Sequence, residues 1–198
     1  MRVLSVVFDL SLDTVESIAL AQEDLEDSLG EEPVELVWID PAQIHVALKV
    51  MRNIDGAMIE RVSETVESVA RALVPFKVGA TGLTADPSPE RPQLVCATID
   101  SGLELVVGLQ KVLDLHLERI GVPIDPRSFR ALAVSGRLRV PERRVDLSEQ
   151  FAAVGGLDFG QSYVKHISLL DGTLDRHGAR WGVVRRYRLG GQRTKDRA

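Results

Sequence analysis

The stretch Ile44-His45-Val46-Ala47-Leu48-Lys49-Val50 decides the fold. Ile44, Val46, Leu48 and Val50 alternate with the residues between them, so the segment reads as a strand with one face in a core. His45, Ala47 and Lys49 then share the opposite face. A histidine and a lysine side by side on an accessible strand face are equipped to move a proton and hold a phosphate. A strand histidine also serves as plain structure, and these seven residues alone leave both readings open.

Working outward, three segments carry helical periodicity. Residues 13–29 place Val15, Ile18, Leu25 and Leu29 on one stripe, with Asp13 and Glu16 as a capping box and Gly30 at the end. Residues 55–73 repeat Ile59, Val62, Val66, Val69 and Leu73. Residues 102–120 carry Leu105, Leu109, Leu113, Leu117 and Ile120, with Gly121 as terminator. Strand-like runs occupy 2–9, 34–39, 43–51, 76–83, 92–99, 129–140, 163–171 and 181–189. Several strands follow one another without a helix between them. The order therefore predicts an α+β fold with mainly antiparallel sheets, not a doubly wound parallel one.

The chain has 198 residues, 44% of them hydrophobic and 27% charged, enough to bury a core of its own. Residues 1–190 read as one domain and 191–198 as a basic, flexible tail. No apolar run reaches the roughly 20 residues that span a bilayer, and the opening residues read as a first strand, not a signal peptide. The single cysteine, Cys96, lies in an apolar run, which suits the reducing cytoplasm. The net charge of −5 is unevenly spread. Acidic residues crowd positions 1–32, whereas Arg127, Arg130, Arg137, Arg139, Arg143 and Arg144 face only Glu142 in 127–144. Such an arginine cluster suits a phosphate-bearing ligand.

Other chemistries lack their motifs. No phosphate-binding glycine loop and no nucleophile elbow occur. One cysteine and four scattered histidines supply no zinc pattern. Neither a metal nor a cofactor is expected.

Around the opening stretch, Trp38-Ile39-Asp40-Pro41-Ala42-Gln43-Ile44-His45 resembles the lead-in to the first His-x-Thr motif of the two-histidine (2H) phosphoesterases, nearest the RNA 2′,3′-cyclic phosphodiesterases of the 2′-5′ RNA ligase-like family. Leu48-Lys49-Val50, Asn53-Ile54-Asp55, Pro75-Phe76 and Arg91-Pro92 continue the likeness. Ile167, Leu169, Leu174, Gly178, Trp181 and Leu189 resemble its closing hairpin. Family spacing puts the second motif at Phe129–Arg137, where Leu132 lies 87 residues after His45. The phenylalanine and arginine are present. Leu132 stands for the histidine and Val134 for the threonine, and in the first motif Ala47 replaces the threonine.

The resemblance implies a bilobal, pseudo-symmetric fold, with two mainly antiparallel sheets flanking a central groove and helices outside. It implies His45 as the one surviving catalytic group, and Lys49, Arg130 and Arg137 as phosphate ligands. RNA ends or a small cyclic nucleotide are the implied partners of a cytoplasmic monomer. Leu132 transfers no proton, and Ala47 and Val134 offer no hydrogen bond. Hydrolysis of 2′,3′-cyclic phosphates is therefore expected to be weak or lost. The alternative is a non-catalytic module that binds RNA, a nucleotide or a protein. His166-Ile167-Ser168 spells a His-x-Ser motif of its own, but its position matches the closing strand.

Overall fold

A computed structural model describes residues 2–30, 32, 34–139, 145–175 and 178–190. The sequence-predicted tail, 191–198, and His177, read from sequence as a hairpin-tip residue, lie outside the described residues. Strands are β1 (Arg2–Asp9), β2 (Glu35–Trp38), β3 (His45–Arg52), β4 (Phe76–Asp86), β5 (Leu94–Ile99), β6 (Leu132–Arg139), β7 (Asp158–Val164), β8 (His166–Asp175) and β9 (Gly178–Arg188). Helices are α1 (Leu12–Leu29), α2 (Gly56–Ala72), α3 (Leu103–Glu118) and α4 (Ser148–Val154).

The α+β architecture is the one the sequence predicts. Its two antiparallel halves, β7-β4-β5-β6 and β3-β1-β8-β9, form one sheet instead of two, with β2 added beside β6. Only one residue pair, Val46 with Ala133, joins β3 to β6 at the centre. From that seam the halves diverge and leave a groove between them.

The helices form where apolar periodicity and caps agree. Ser11 caps α1, its side chain accepting from the Thr14 N–H at 3.3 Å, so the expected Asp13–Glu16 box gives way to a hydroxyl two residues earlier. Gly30, at φ +53°, ends that helix. The Asp55 carboxylate caps α2 by accepting from the Met58 N–H at 2.7 Å. In α3 the buried stripe is Val106, Leu109, Leu113 and Leu117. Leu105, expected on it, is 55% exposed.

Two helices, α1 and α3, cross over. α1 follows β1 yet packs on β7, β4 and β6 of the other half, and α3 follows β5 yet packs on β3 and α2. Their apolar stripes close over core residues such as Phe8, Ile18, Leu83, Leu113 and Ile167, each fully buried. Burying a side chain of this size is worth about 1.5–3 kcal/mol.

Two elements differ from the sequence-predicted list. The run read as one strand at 163–171 is two, β7 and β8, and α4 precedes them. A third difference bears on the site. Both central strands carry a β-bulge. In β3 the pairing with β1 steps from Val6–Lys49 to Val7–Ala47, leaving Leu48 as the extra residue. In β6 the pairing with β5 steps from Val95–Gly136 to Cys96–Val134, leaving Ser135 extra.

Candidate active-site groove

The groove has a volume of about 700 Å³ and is lined from both halves. His45, Ala47, Val50 and Arg52 come from β3, Val134 and Arg137 from β6, Trp38 from β2, and Arg180 and Trp181 from β9. Val46 and Ala133 are fully buried on the opposite face, so Leu132 and Val134, flanking Ala133, face the same way as His45 and Ala47.

His45 begins β3, half-buried, opposite Asp9 on β1. The Trp181 ring meets its imidazole edge-on, with centroids 5.9 Å apart and planes at 80°. Burial holds the pKa of His45 below its ordinary value, while the negative charge of Asp9 and a backbone hydrogen bond to Gln43 work in the opposite direction. Asp9 in turn accepts from Arg186 at 3.0 Å. At neutral pH the ring is therefore a neutral imidazole, the form that accepts a proton.

Two indoles lie flat on glycines. A Cβ at Gly136 would come within 2.7 Å of the Trp38 ring, and one at Gly172 within 2.5 Å of the Trp181 ring. Only glycine admits an aromatic plane at that distance. The Trp38 Nε1–H donates to Glu26 at 2.7 Å, and the Trp181 backbone N–H donates to the Gln43 side-chain oxygen at 3.3 Å. The cations Arg52, Arg137 and Arg180 line the groove against one carboxylate, Asp40. The centre, at Ala47, Val50 and Val134, is apolar.

The groove thus brings together His45, Ala47, Val134 and Arg137 from the sequence-predicted set. Lys49 is a correction. The bulge at Leu48 turns Lys49 away from the groove and into the core. There Nζ donates to Asp114 at 2.7 Å and to the Pro123 carbonyl at 2.8 Å, and the residue is 6% exposed. Val50 takes the groove position instead and is 47% exposed. Arg130 is a second correction: it precedes β6, pairs with Asp86 and does not line the groove.

His166 is exposed on β8 opposite Arg188, outside the groove lining, and His116 is half-buried on α3. Cys96 is fully buried, and burial pushes its thiol up to about 12, so it is no nucleophile. Arg52 and Arg180 are groove residues that the sequence reading missed, as it missed Asp9, the charge beside His45. For Arg52 the signal lies in the bulge, which no periodicity records.

No described helix is long and apolar enough to cross a membrane, and no cluster of histidine, cysteine and acidic residues able to hold a metal occurs among the described residues.

The fold matches known proteins. TT0787 of Thermus thermophilus superposes with a TM-score of 0.78 at 18% identity, covering 97% of this chain and 100% of that one. Escherichia coli LigT, solved with 3′-AMP, does so at 0.72 and 14%, covering 96% and 99%. The likeness to these two proteins is one of fold over nearly the whole chain. In sequence it is 24% identical over 155 residues to the RNA 2′,3′-cyclic phosphodiesterase of Aquifex aeolicus, covering 78% of this chain and 82% of that protein. It is 22% identical over 180 residues to that of Methanothermobacter thermautotrophicus, covering 91% and 97%. No family model matches. Both of these relatives are RNA 2′,3′-cyclic phosphodiesterases, and the likeness to them runs over most of this chain.

Proposed function

We propose that the groove holds an RNA end or a small cyclic nucleotide, and that hydrolysis of 2′,3′-cyclic phosphates there is weak or lost. One observation carries the reading: the groove wall retains a neutral imidazole and Arg137, while Ala47, Val134 and Leu132 occupy the other motif positions on the same face. His45 serves as the base that activates water, and Arg137 holds a phosphate oxygen. Nothing at Leu132 protonates the departing ribose oxygen. One well-placed acid or base is worth about 10²–10⁴-fold in rate, so losing one of two, with both hydroxyls, leaves at most a slow reaction. The protein acts as a monomer in the cytoplasm.

The test is to incubate the protein with 2′,3′-cyclic AMP, and with an RNA ending in a 2′,3′-cyclic phosphate, and measure monoester formation. Slow turnover that disappears in His45→Ala supports residual catalysis. Binding that weakens with salt and in Arg137→Ala, without turnover, supports the purely binding form. Neither binding nor turnover rejects the proposal.

A further inference from the structure

A second recess, of about 430 Å³, lies beyond the groove between β4, β5 and α4. Its floor is a cross-strand row. Thr98 on β5 stands opposite Leu132 on β6 and opposite Thr81 on β4, and Thr84 stands opposite Cys96. Residues opposite one another across strands share a face, so these threonines continue the wall on which Leu132 sits. Each is half-buried, and among the described residues none of the three hydroxyls makes a hydrogen bond. Elsewhere the buried hydroxyls are satisfied: Ser162, for example, bonds Thr14 at 3.0 Å and accepts the Ser11 N–H at 2.8 Å. Hydroxyls on a cavity wall with no protein partner are free to donate to and accept from a ligand.

Among the described residues the remaining lining is apolar or neutral, with Leu83, Phe151 and Pro89 on its walls and no charged side chain. An ion would gain no counter-charge there. A neutral group that both donates and accepts, and that carries a C–H face for Phe151 and Pro89, meets every surface. The recess is also built in advance. Gly82, at φ +50°, donates to the Leu157 carbonyl at 2.7 Å, and a Cβ on it would come within 2.0 Å of the Gly155 carbonyl, so the end of α4 is locked on β4. The volume falls in the range of small-ligand pockets, about 300–1,000 Å³.

We infer that this recess is a binding site for a neutral, hydroxyl-bearing ring, the chemistry of a sugar, taken as a free saccharide or as the ribose of a nucleoside. It stands apart from His45 and Arg137 and does not depend on catalysis in the groove.

Saturation-transfer NMR of the whole chain with methyl β-ribofuranoside and, separately, adenosine tests it. Transfer to the ring protons of the riboside assigns a free-sugar site; transfer confined to the ribose protons of adenosine assigns a nucleoside site. In either case Thr81→Val/Thr98→Val should weaken binding about tenfold or more, as expected for two lost hydrogen bonds. Thr81→Ser, which keeps the hydroxyl, and Arg137→Ala, which is in the groove, should leave it unchanged. Ala152→Phe on α4 fills the recess without touching the sheet and should abolish binding, with an unaltered melting temperature showing that the chain is folded. No transfer to either probe overturns the inference, as does transfer that survives both Thr81→Val/Thr98→Val and Ala152→Phe.

Discussion

The proton affinity of His45 is a contest between two neighbours of opposite effect. Burial beneath Trp181 disfavours the imidazolium, and Asp9, opposite on β1, favours it. Burial wins, so the ring titrates below its ordinary value. The sign of a change at Asp9 follows. Asp9→Asn removes the charge that raises the pKa and leaves the burial, so the His45 midpoint should fall further. Following the ring protons of His45 by NMR across pH in both proteins measures this; a midpoint that rises in the variant contradicts the assignment. Leu132, by contrast, has nothing to titrate. His45 is therefore the one imidazole lining the groove among the described residues, and any residual activity should fall with His45 protonation on the acid side.

At the scale of elements, the bulges decide which side chains reach the groove, and each is tied down by a buried polar side chain from the helix that crosses over. The β6 bulge presents the Ser135 carbonyl, which accepts from the Gln22 side chain of α1 at 2.9 Å. The β3 bulge sends Lys49 to Asp114 of α3, itself held by Gln110 at 2.6 Å. Side-chain exposure in the Lys49–Asp114 pair is 5% and 9%. Removing one partner strands the other charge, so Asp114→Ala should cost about 3–5 kcal/mol. Lys49→Met with Asp114→Leu should recover most of that loss, because no unpaired charge remains. Urea denaturation of the three proteins checks it, and equal losses in the single and double variants would contradict the pairing.

The same bulge shows where sequence reading ends. The long helices are legible because their apolar repeats run through four or five turns and stop at Gly30, Pro75 and Gly121. α4, with seven residues, is too short for periodicity, and β7 is broken by Gly160 at φ +80°. Strict alternation from Ile44 to Val50 conceals the step at Leu48, because a leucine suits either face. Hence His45 and Ala47 are read onto the groove face, where they lie, whereas Lys49 and Val50 exchange sides. Arg130 lies within the stretch read as the second motif, but it precedes β6 and pairs with Asp86.

For the whole molecule, the two halves repeat at a constant interval. His45 and Leu132, Ala47 and Val134, the extra residues Leu48 and Ser135, Val50 and Arg137, and Arg52 and Arg139 are each 87 positions apart. Crossed helices and matched bulges make this a physical repeat of backbone as well as a spacing. Leu132 therefore occupies in β6 the backbone position that His45 occupies in β3. If the proposed function is right, placing the motif side chains on this frame should suffice. Ala47→Thr, Leu132→His and Val134→Thr together restore a second imidazole and two hydroxyls on the groove face without altering either bulge. The combined variant should hydrolyse 2′,3′-cyclic AMP at least about 10²-fold faster than the parent, the contribution of one positioned acid. Its rate should fall on both sides of an optimum, since one imidazole must be neutral and the other protonated. Leu132→His alone, lacking the hydroxyls that hold the phosphate, should gain less. A folded triple variant with no gain over the parent would mean that the repeat places these positions in register without aiming them at a common phosphate.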